Sequence, residues 1–274
     1  MKATIFDIKE FALNDGDGIR TTVFFKGCPL RCIWCHNPEG LSPTPELFIK
    51  GSRCKNCGLC RRGCSHPECQ PYGRCLKICP LDLVCIAGKE WELSELFEKL
   101  ILGKDILNSS GGGVTFSGGE PLMQSEFLYQ ILMMLKGNIH TAIETSGYSD
   151  EDTFKKIASA CDFVIMDIKF ISDELHKKYT GVSNKKILKN AKWLMTSGIP
   201  HLFRIPLIPK ITDTKDNLFM ISEFVGNDKI ELLSYNTLAP AKYKSVGRSF
   251  GLNILEEDIS DPDITFFKNA KIRK

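Results

Sequence analysis

The distribution of cysteine constrains this chain more than any other sequence feature. The 274-residue sequence contains twelve cysteines, and eleven of them lie between Cys28 and Cys85, with Cys161 alone outside that stretch. Such tight spacing is typical of metal ligands rather than of a disulfide framework. Disulfides are also disfavoured in a reducing cytosol. The crowding therefore favours metal sites over the alternative, a disulfide-rich secreted module.

The first three cysteines form a short motif. Cys28, Cys32 and Cys35 have C-x3-C-x2-C spacing and follow an apolar, strand-like segment at residues 22–25. Thiolates are soft ligands that select zinc, copper(I) or iron–sulfur clusters. With His36 as a fourth ligand the motif would make a closed zinc site. Three thiolates on a four-iron cluster would instead leave one iron open to another ligand.

Residues 41–88 differ from the rest of the chain, because they are rich in cysteine and show little periodicity. A segment of this size buries too little apolar surface to fold alone, so we predict a small inserted domain held by metal. Its first run has the C-x2-C-x2-C-x3-C spacing of bacterial ferredoxins, in which the fourth cysteine ligates the other cluster. That run comprises Cys54, Cys57, Cys60 and Cys64, and a second, irregular set comprises Cys69, Cys75 and Cys79.

Two assignments of these cysteines remain open from the sequence. In the favoured one, two auxiliary clusters form, the first on Cys54, Cys57, Cys60 and Cys79, the second on Cys64, Cys69, Cys75 and an unidentified ligand. His66, three residues before Cys69, stands where a further ligand would be wanted. In the other assignment a single cluster forms and the remaining thiols are spare. Cys85 and Cys161 are interpreted as core residues.

From Trp91 onward, apolar periodicity alternates between helix and strand. Including the segment before the first cysteine motif, six strands are predicted, which indicates an α/β fold with a parallel sheet. A full eight-unit barrel needs about 250 residues, so a partial (β/α)6 barrel fits better. We assign residues 1–40 and 89–252 to the barrel, 41–88 to a ferredoxin-like iron–sulfur insertion, and 253–274 to a polar tail of which residues 264–267 dock.

Polar residues stand at the predicted carboxyl ends of these strands, where ligands bind in such folds. Asp167 and Lys169 are two residues apart and so face the same side of a strand. A glycine pair lets a ligand approach the backbone closely. Each feature alone could be structural, but their joint order favours a binding site. The set comprises Gly118, Gly119, Glu120, Glu144, Asp167, Lys169, Arg204 and Asn236.

The chain resembles the glycyl-radical-enzyme activating enzymes, the radical S-adenosylmethionine (SAM) branch that includes pyruvate formate-lyase activase. The matching segments are DGDGIRTTVFFKGCPLRCIWCHNPE, GGGVTFSGGEPL, HTAIETSGY, IMDIKF, TGVSNKKIL, FRIPLIP and ELLSYNTLAPAKY. The family usually has His and Pro where this chain has Asn14 and Asp17. Glu144, Thr145 and Asp167 fall where the activase has a monovalent-cation site, and Glu144 stands in place of an Asp there.

The resemblance implies that Cys28, Cys32 and Cys35 hold a catalytic 4Fe–4S cluster whose fourth iron binds SAM. Reductive cleavage would give a 5′-deoxyadenosyl radical, which takes a hydrogen from a glycine Cα of a partner enzyme. The residues implied as SAM contacts are Trp34, Cys35, His36, Gly118, Gly119, Glu120, Asp167, Ile168, Lys169 and Asn236.

The insertion is absent from pyruvate formate-lyase activase, so the implied partner is another glycyl radical enzyme, such as a dehydratase, lyase or decarboxylase. Reduced flavodoxin or ferredoxin would donate electrons through one or two auxiliary 4Fe–4S clusters. A net charge of +3 does not indicate nucleic-acid binding. No apolar run of about 18 residues and no signal pattern is present, so we expect a cytoplasmic monomer without membrane contact. The alternatives are a radical SAM enzyme acting on another residue or a small molecule, and a ferredoxin-like electron carrier.

Overall fold

The computed structural model describes residues 1–259 and 262–273. Eleven strands are present in that part of the chain: β1 Lys2–Ala12, β2 Arg20–Phe25, β3 Glu46–Ile49, β4 Val84–Ala87, β5 Lys89–Glu92, β6 Gly113–Gly118, β7 Thr141–Thr145, β8 Phe163–Asp167, β9 His201–Pro206, β10 Ile230–Leu233 and β11 Ala270–Arg273. The helices are α1 Leu93–Ile101, α2 Lys104–Ser109, α3 Ser125–Leu135, α4 Glu151–Ala158, α5 Asp173–Thr180, α6 Lys185–Thr196, α7 Lys215–Val225 and α8 Ala239–Ser245. None of these helices is long and apolar enough to cross a membrane.

Nine strands form one sheet in the order β11-β10-β9-β8-β7-β6-β2-β1-β5. The adjacent strands β2, β6, β7, β8, β9 and β10 pair in parallel, whereas β1 pairs antiparallel with β2 and β5. The six predicted strands are therefore all present, in chain order, and the prediction of a partial barrel is confirmed. The carboxyl ends of the parallel strands lie at one edge of the sheet, so the loops after β2, β6, β7 and β8 lie next to one another there.

The two faces of the parallel sheet differ in chemistry because side chains alternate along each strand. Residues such as Val23, Phe116 and Phe203 join the main apolar core beneath the helices. The opposite face is polar, and its buried residues include Thr22, Thr115, Ser117, Arg204 and Glu231. A complete (β/α)8 barrel fills its interior with branched apolar residues, so this polar face indicates a ligand-binding interior instead.

The inserted segment contains a two-stranded antiparallel sheet of β3 and β4, in which Phe48 pairs with Cys85. Between these strands the backbone forms single turns of 3-10 helix at Gly51–Arg53, Leu59–Arg61 and Gln70–Tyr72. Such a segment has little regular structure of its own, consistent with its sequence. That it is a ferredoxin-like domain stays a prediction.

Seven elements were not predicted from the sequence. They are helices α2, α5 and α8, strands β3, β4 and β5, and strand β11, which pairs in parallel with β10 and so incorporates the end of the tail into the sheet. These elements are short and lack apolar periodicity. End signals identify α5 nonetheless: the Ser172 hydroxyl caps its first turn, and Gly181 ends it with φ +79°.

Candidate active site

The three cysteines of the C-x3-C-x2-C motif lie on the loop after β2 and line a cavity of about 190 Å³. Backbone hydrogen bonds hold this loop to its surroundings. Gly27 N donates to the Gly40 carbonyl at 2.8 Å, and Arg31 N donates to the Thr180 carbonyl at 2.7 Å. The thiols are thus presented on a fixed loop at the carboxyl edge of the sheet. The predicted site residues that also line the cavity are Trp34, His36, Gly118, Gly119, Glu144, Asp167 and Lys169.

Burial raises the pKa of each thiol, Cys28, Cys32 and Cys35, to about 12. Without a metal these groups are therefore neutral thiols, and metal binding must release their protons. His36 Nε2 is buried and has no hydrogen-bond partner among the described residues. Three converging soft donors with an open space in front of them fit an iron–sulfur cluster that keeps one coordination position for a ligand.

Gly118 and Gly119 are required by close backbone packing. Gly118 has φ +120°, and a Cβ there would lie 2.3 Å from Phe25 N. A Cβ at Gly119 would lie 2.3 Å from the Gly27 carbonyl oxygen and 2.5 Å from that of Gly40. The glycine pair therefore lets the end of β6 pack against the loop that carries the cysteines, in addition to exposing backbone to the cavity.

We expect Gly119→Ala to displace the cysteine loop, because the new methyl group meets two backbone carbonyls that cannot rotate away. A misplacement of about 1 Å in an active site costs roughly a hundredfold in rate, and we expect SAM cleavage to fall by about that factor. The matched control is Gly251→Ala, where a Cβ meets nothing within 4 Å. Equal rates for the two variants in a 5′-deoxyadenosine assay would contradict this role of Gly119.

Asp167 and Lys169 form an ion pair at the end of β8, with 2.9 Å between Lys169 Nζ and Asp167 Oδ2. Burial lowers the pKa of Lys169, but the neighbouring Asp167 carboxylate outweighs that effect, and the pKa is raised overall. The ammonium is therefore charged and buried beside the cysteines. At one wall of the cavity, the Lys169 ammonium can therefore bind a ligand's carboxylate, and the Asp167 carboxylate can accept hydrogen bonds from a ligand's hydroxyl groups.

Three predicted contact residues lie outside this cavity. The Glu120 carboxylate accepts hydrogen bonds from Thr145 and Ser146, at 2.5 to 2.8 Å, so it ties the β6 turn to the end of β7. The Ile168 side chain is buried in the main core because it points to the helix side of the sheet. Asn236 is exposed, and its Oδ1 accepts from Leu238 N at 2.9 Å.

The structure also brings together polar residues that the sequence analysis did not connect. Arg204 is buried and donates to Glu144 at 2.5 Å, to Glu231 at 2.8 Å and to the Asn14 carbonyl at 2.8 Å. Glu144 also accepts from Ser117 at 2.6 Å. The positive charge beside Glu144 is therefore a guanidinium. The alternation of polar and apolar residues along these strands could have predicted that the polar side chains share one face of the sheet. It could not have predicted which of them form hydrogen bonds with one another.

In the insertion, the cysteines separate into two groups. Cys54, Cys57, Cys60 and Cys79 line a second cavity, of about 510 Å³. Cys64, Cys69 and Cys75 lie with His66 in a set whose four ligand atoms are all within 4.8 Å of one another. Cys161 is buried in the main core, and Cys85 lies half-buried on β4.

The comparisons with known proteins agree with this geometry. A family model described as the radical SAM superfamily matches residues 22–219. A radical SAM methyltransferase from Sphaerobacter thermophilus has a similar fold, with a TM-score of 0.53 at 13% identity over 98% of this chain and 76% of that one. The chain belongs to the radical SAM superfamily, and like its members it uses a 4Fe–4S cluster and SAM.

Two curated relatives narrow the class. The (2S)-3-sulfopropanediol dehydratase activating enzyme of Klebsiella oxytoca is 35% identical, over 89% of this chain and 85% of its own length. The choline trimethylamine-lyase activating enzyme of Oleidesulfovibrio alaskensis is 36% identical, over 90% and 87%. Within the superfamily, the chain is an activating enzyme of the glycyl radical enzymes, acting on a partner protein.

Proposed function

We propose that this enzyme activates a glycyl radical enzyme of the dehydratase, lyase or decarboxylase kind, using the cavity at the carboxyl ends of β6, β7 and β8. The observation that carries the proposal is the convergence of Cys28, Cys32 and Cys35 with Gly119 and the Asp167–Lys169 pair on one cavity. When bound, the cluster and SAM supply a 5′-deoxyadenosyl radical by one-electron cleavage, and this radical takes a hydrogen atom from the partner's glycine.

Different residues of the cavity bind the cluster and the separate parts of SAM. Cys28, Cys32 and Cys35 hold the cluster. The Lys169 ammonium meets the methionine carboxylate of SAM, and Asp167 accepts from ribose hydroxyls. The backbone of Gly118 and Gly119 meets the methionine amino group. No proton transfer is required of these groups, so their task is to orient SAM and exclude water.

The insertion supplies electrons in this proposal. Residues 50–79 contain seven lysines and arginines and a single acidic residue, Glu68. Cys54 and Cys57 are exposed within this basic segment. Both features suit docking of an acidic electron donor, a reduced flavodoxin or ferredoxin, next to an auxiliary cluster. Cysteines that serve as metal ligands rather than as disulfide partners suit a reducing cytoplasm.

The test uses anaerobically reconstituted protein, dithionite and SAM, with and without a glycyl radical enzyme of the dehydratase, lyase or decarboxylase kind from the same organism. We expect 5′-deoxyadenosine in both cases and a glycyl radical signal in electron paramagnetic resonance only with the partner. A partner whose radical-bearing glycine is replaced by alanine is the control. Absence of 5′-deoxyadenosine contradicts the assigned chemistry. Cleavage of SAM without a radical on the partner contradicts its assignment as substrate.

A further inference from the structure

The second cysteine run of the insertion differs from the first in having a histidine at its first ligand position and a longer spacer between its next two cysteines. The first run is Cys54, Cys57, Cys60 and Cys64, and the second ends in Cys79 followed by Pro80. Bacterial ferredoxin runs read C-x2-C-x2-C-x3-C-P. Aligning the second run on Cys69 places His66 at its first ligand position, with two residues between His66 and Cys69 and a longer spacer before Cys75.

The structure exchanges the last cysteines of the two runs. Cys79 lies with Cys54, Cys57 and Cys60 around one cavity. Cys64 lies with His66, Cys69 and Cys75. This is the exchange found in two-cluster ferredoxins, where the fourth cysteine of each run ligates the other run's cluster. A single cluster with spare thiols does not require it.

His66 points into the second group. Its Nδ1 lies 3.2 Å from Cys64 Sγ, while the Cys69 sulfur accepts from Leu76 N at 3.4 Å. Cys69 and Cys75 are buried, and His66 is exposed. The set therefore has three thiols and one imidazole facing a common point, with the imidazole on the solvent side.

We propose that His66 is the fourth ligand of the second auxiliary 4Fe–4S cluster, which Cys64, Cys69 and Cys75 complete. Three cysteines and one histidine are also a zinc-binding set, and the close grouping of the four atoms would suit one ion. The exchange of Cys64 and Cys79 favours the iron–sulfur cluster, because it belongs to a two-cluster arrangement. A four-iron cluster spaces its ligands more widely than the 4.8 Å within which these four atoms lie, so cluster binding requires the three thiol side chains as well as His66 to turn outward.

This ligand has a consequence for electron flow that rests on the proposed function. A neutral imidazole in place of a thiolate removes one negative charge from the cluster's ligand set, and histidine ligation raises the reduction potential of iron–sulfur centres. The His66-ligated cluster therefore has a higher potential than it would with four thiolates. This cluster is therefore easier to reduce, and once reduced it is a weaker electron donor.

The test compares His66→Cys and His66→Ala with the unaltered chain, all reconstituted anaerobically with iron and sulfide. We expect His66→Cys to keep its iron and to lower the reduction potential of one cluster in a titration followed by electron paramagnetic resonance. We expect His66→Ala to lose about four irons per chain, or to convert one cluster to a three-iron form. Nitrogen hyperfine coupling to one reduced cluster should vanish in both variants.

His140→Ala, which changes another exposed histidine, is the matched control and should keep all iron and all potentials. Stoichiometric zinc that is lost on His66→Ala while iron is unchanged would overturn the proposal, as would potentials and nitrogen coupling that do not respond to His66. SAM cleavage driven by dithionite is measured in parallel. Because Cys28, Cys32 and Cys35 hold a separate cluster, failure of that cleavage reports on the proposed function and not on His66.

Discussion

Replacing Cys32 with alanine is expected to abolish SAM cleavage while leaving the fold intact. Cys32 is one of three thiols on the loop after β2, and two thiolates do not hold a four-iron cluster in place. The cluster is the source of the electron, so no residue of the cavity can compensate. We expect no 5′-deoxyadenosine from the dithionite-reduced variant, and an iron content lower by about four per chain. The insertion's cysteines should keep their iron.

The matched control is Cys161→Ala. Burial raises the pKa of Cys161 to about 12, as it does for Cys32, but Cys161 packs in the main core with Sγ donating to the Ala158 carbonyl at 3.4 Å. Cys161 belongs to the main apolar core and lines neither of the two cysteine-lined cavities. We expect full iron content and SAM cleavage from this variant. The cluster assignment would be wrong if Cys32→Ala behaved in the same way.

Arg204→Met is expected to cause the largest loss of stability. The guanidinium is 2% exposed, and it pairs with Glu144 and with Glu231, whose side chain is 0% exposed. Burial lowers the pKa of Arg204, but the two carboxylates outweigh that effect and raise it overall. Removing the arginine leaves the Glu144 carboxylate without its cationic partner, while Glu231 keeps Lys271 at 3.2 Å and Arg273 at 3.3 Å. Breaking a buried ion pair in this way costs about 3–5 kcal/mol. For a chain of this length that lowers the apparent Tm by roughly 10 °C.

Lys189→Met is the control for a surface ion pair. Lys189 pairs with Glu151 at 2.6 Å, and its side chain is 66% exposed. Exposed pairs contribute about 0–1 kcal/mol, so its Tm should change little when both variants are unfolded anaerobically with the same iron content. A second variant, Arg204→Met with Glu144→Gln, should recover part of the loss because one uncompensated charge is gone. Equal Tm values for Arg204→Met and Lys189→Met would contradict the buried network.

The elements that the sequence predicts well are those with a local signal. The six parallel strands β2, β6, β7, β8, β9 and β10 carry apolar runs with polar ends. The helices α1, α3, α4, α6 and α7 carry apolar periodicity. Helix α8 and strand β11 lack such a signal, since their packing partners come from distant parts of the chain. Strand β11, for example, pairs with β10 across about forty residues.

Site prediction followed the same division. Gly119, Asp167 and Lys169 were expected at a ligand site, and they line the cavity with the cysteines. Asn236 was expected there as well, but it is exposed and does not line the cavity, so its contact with SAM stays a prediction. Glu120 stands in the expected turn, yet its carboxylate is used to hold the end of β7. Strand position is readable from sequence, whereas side-chain direction beyond a strand end depends on the loop.

The sequence by itself determined the cysteine motif after β2 and the parallel strand order, because ligands a few residues apart and side chains in a regular period are brought together by local chain geometry. Only the tertiary structure decided which distant groups meet. Arg204 reaches Glu144, Glu231 and the Asn14 carbonyl. Cys79 lines a cavity with Cys54, which agrees with the favoured of the two assignments that the sequence left open. Those contacts depend on how strands and turns pack in three dimensions, which the spacing of residues along the chain does not specify.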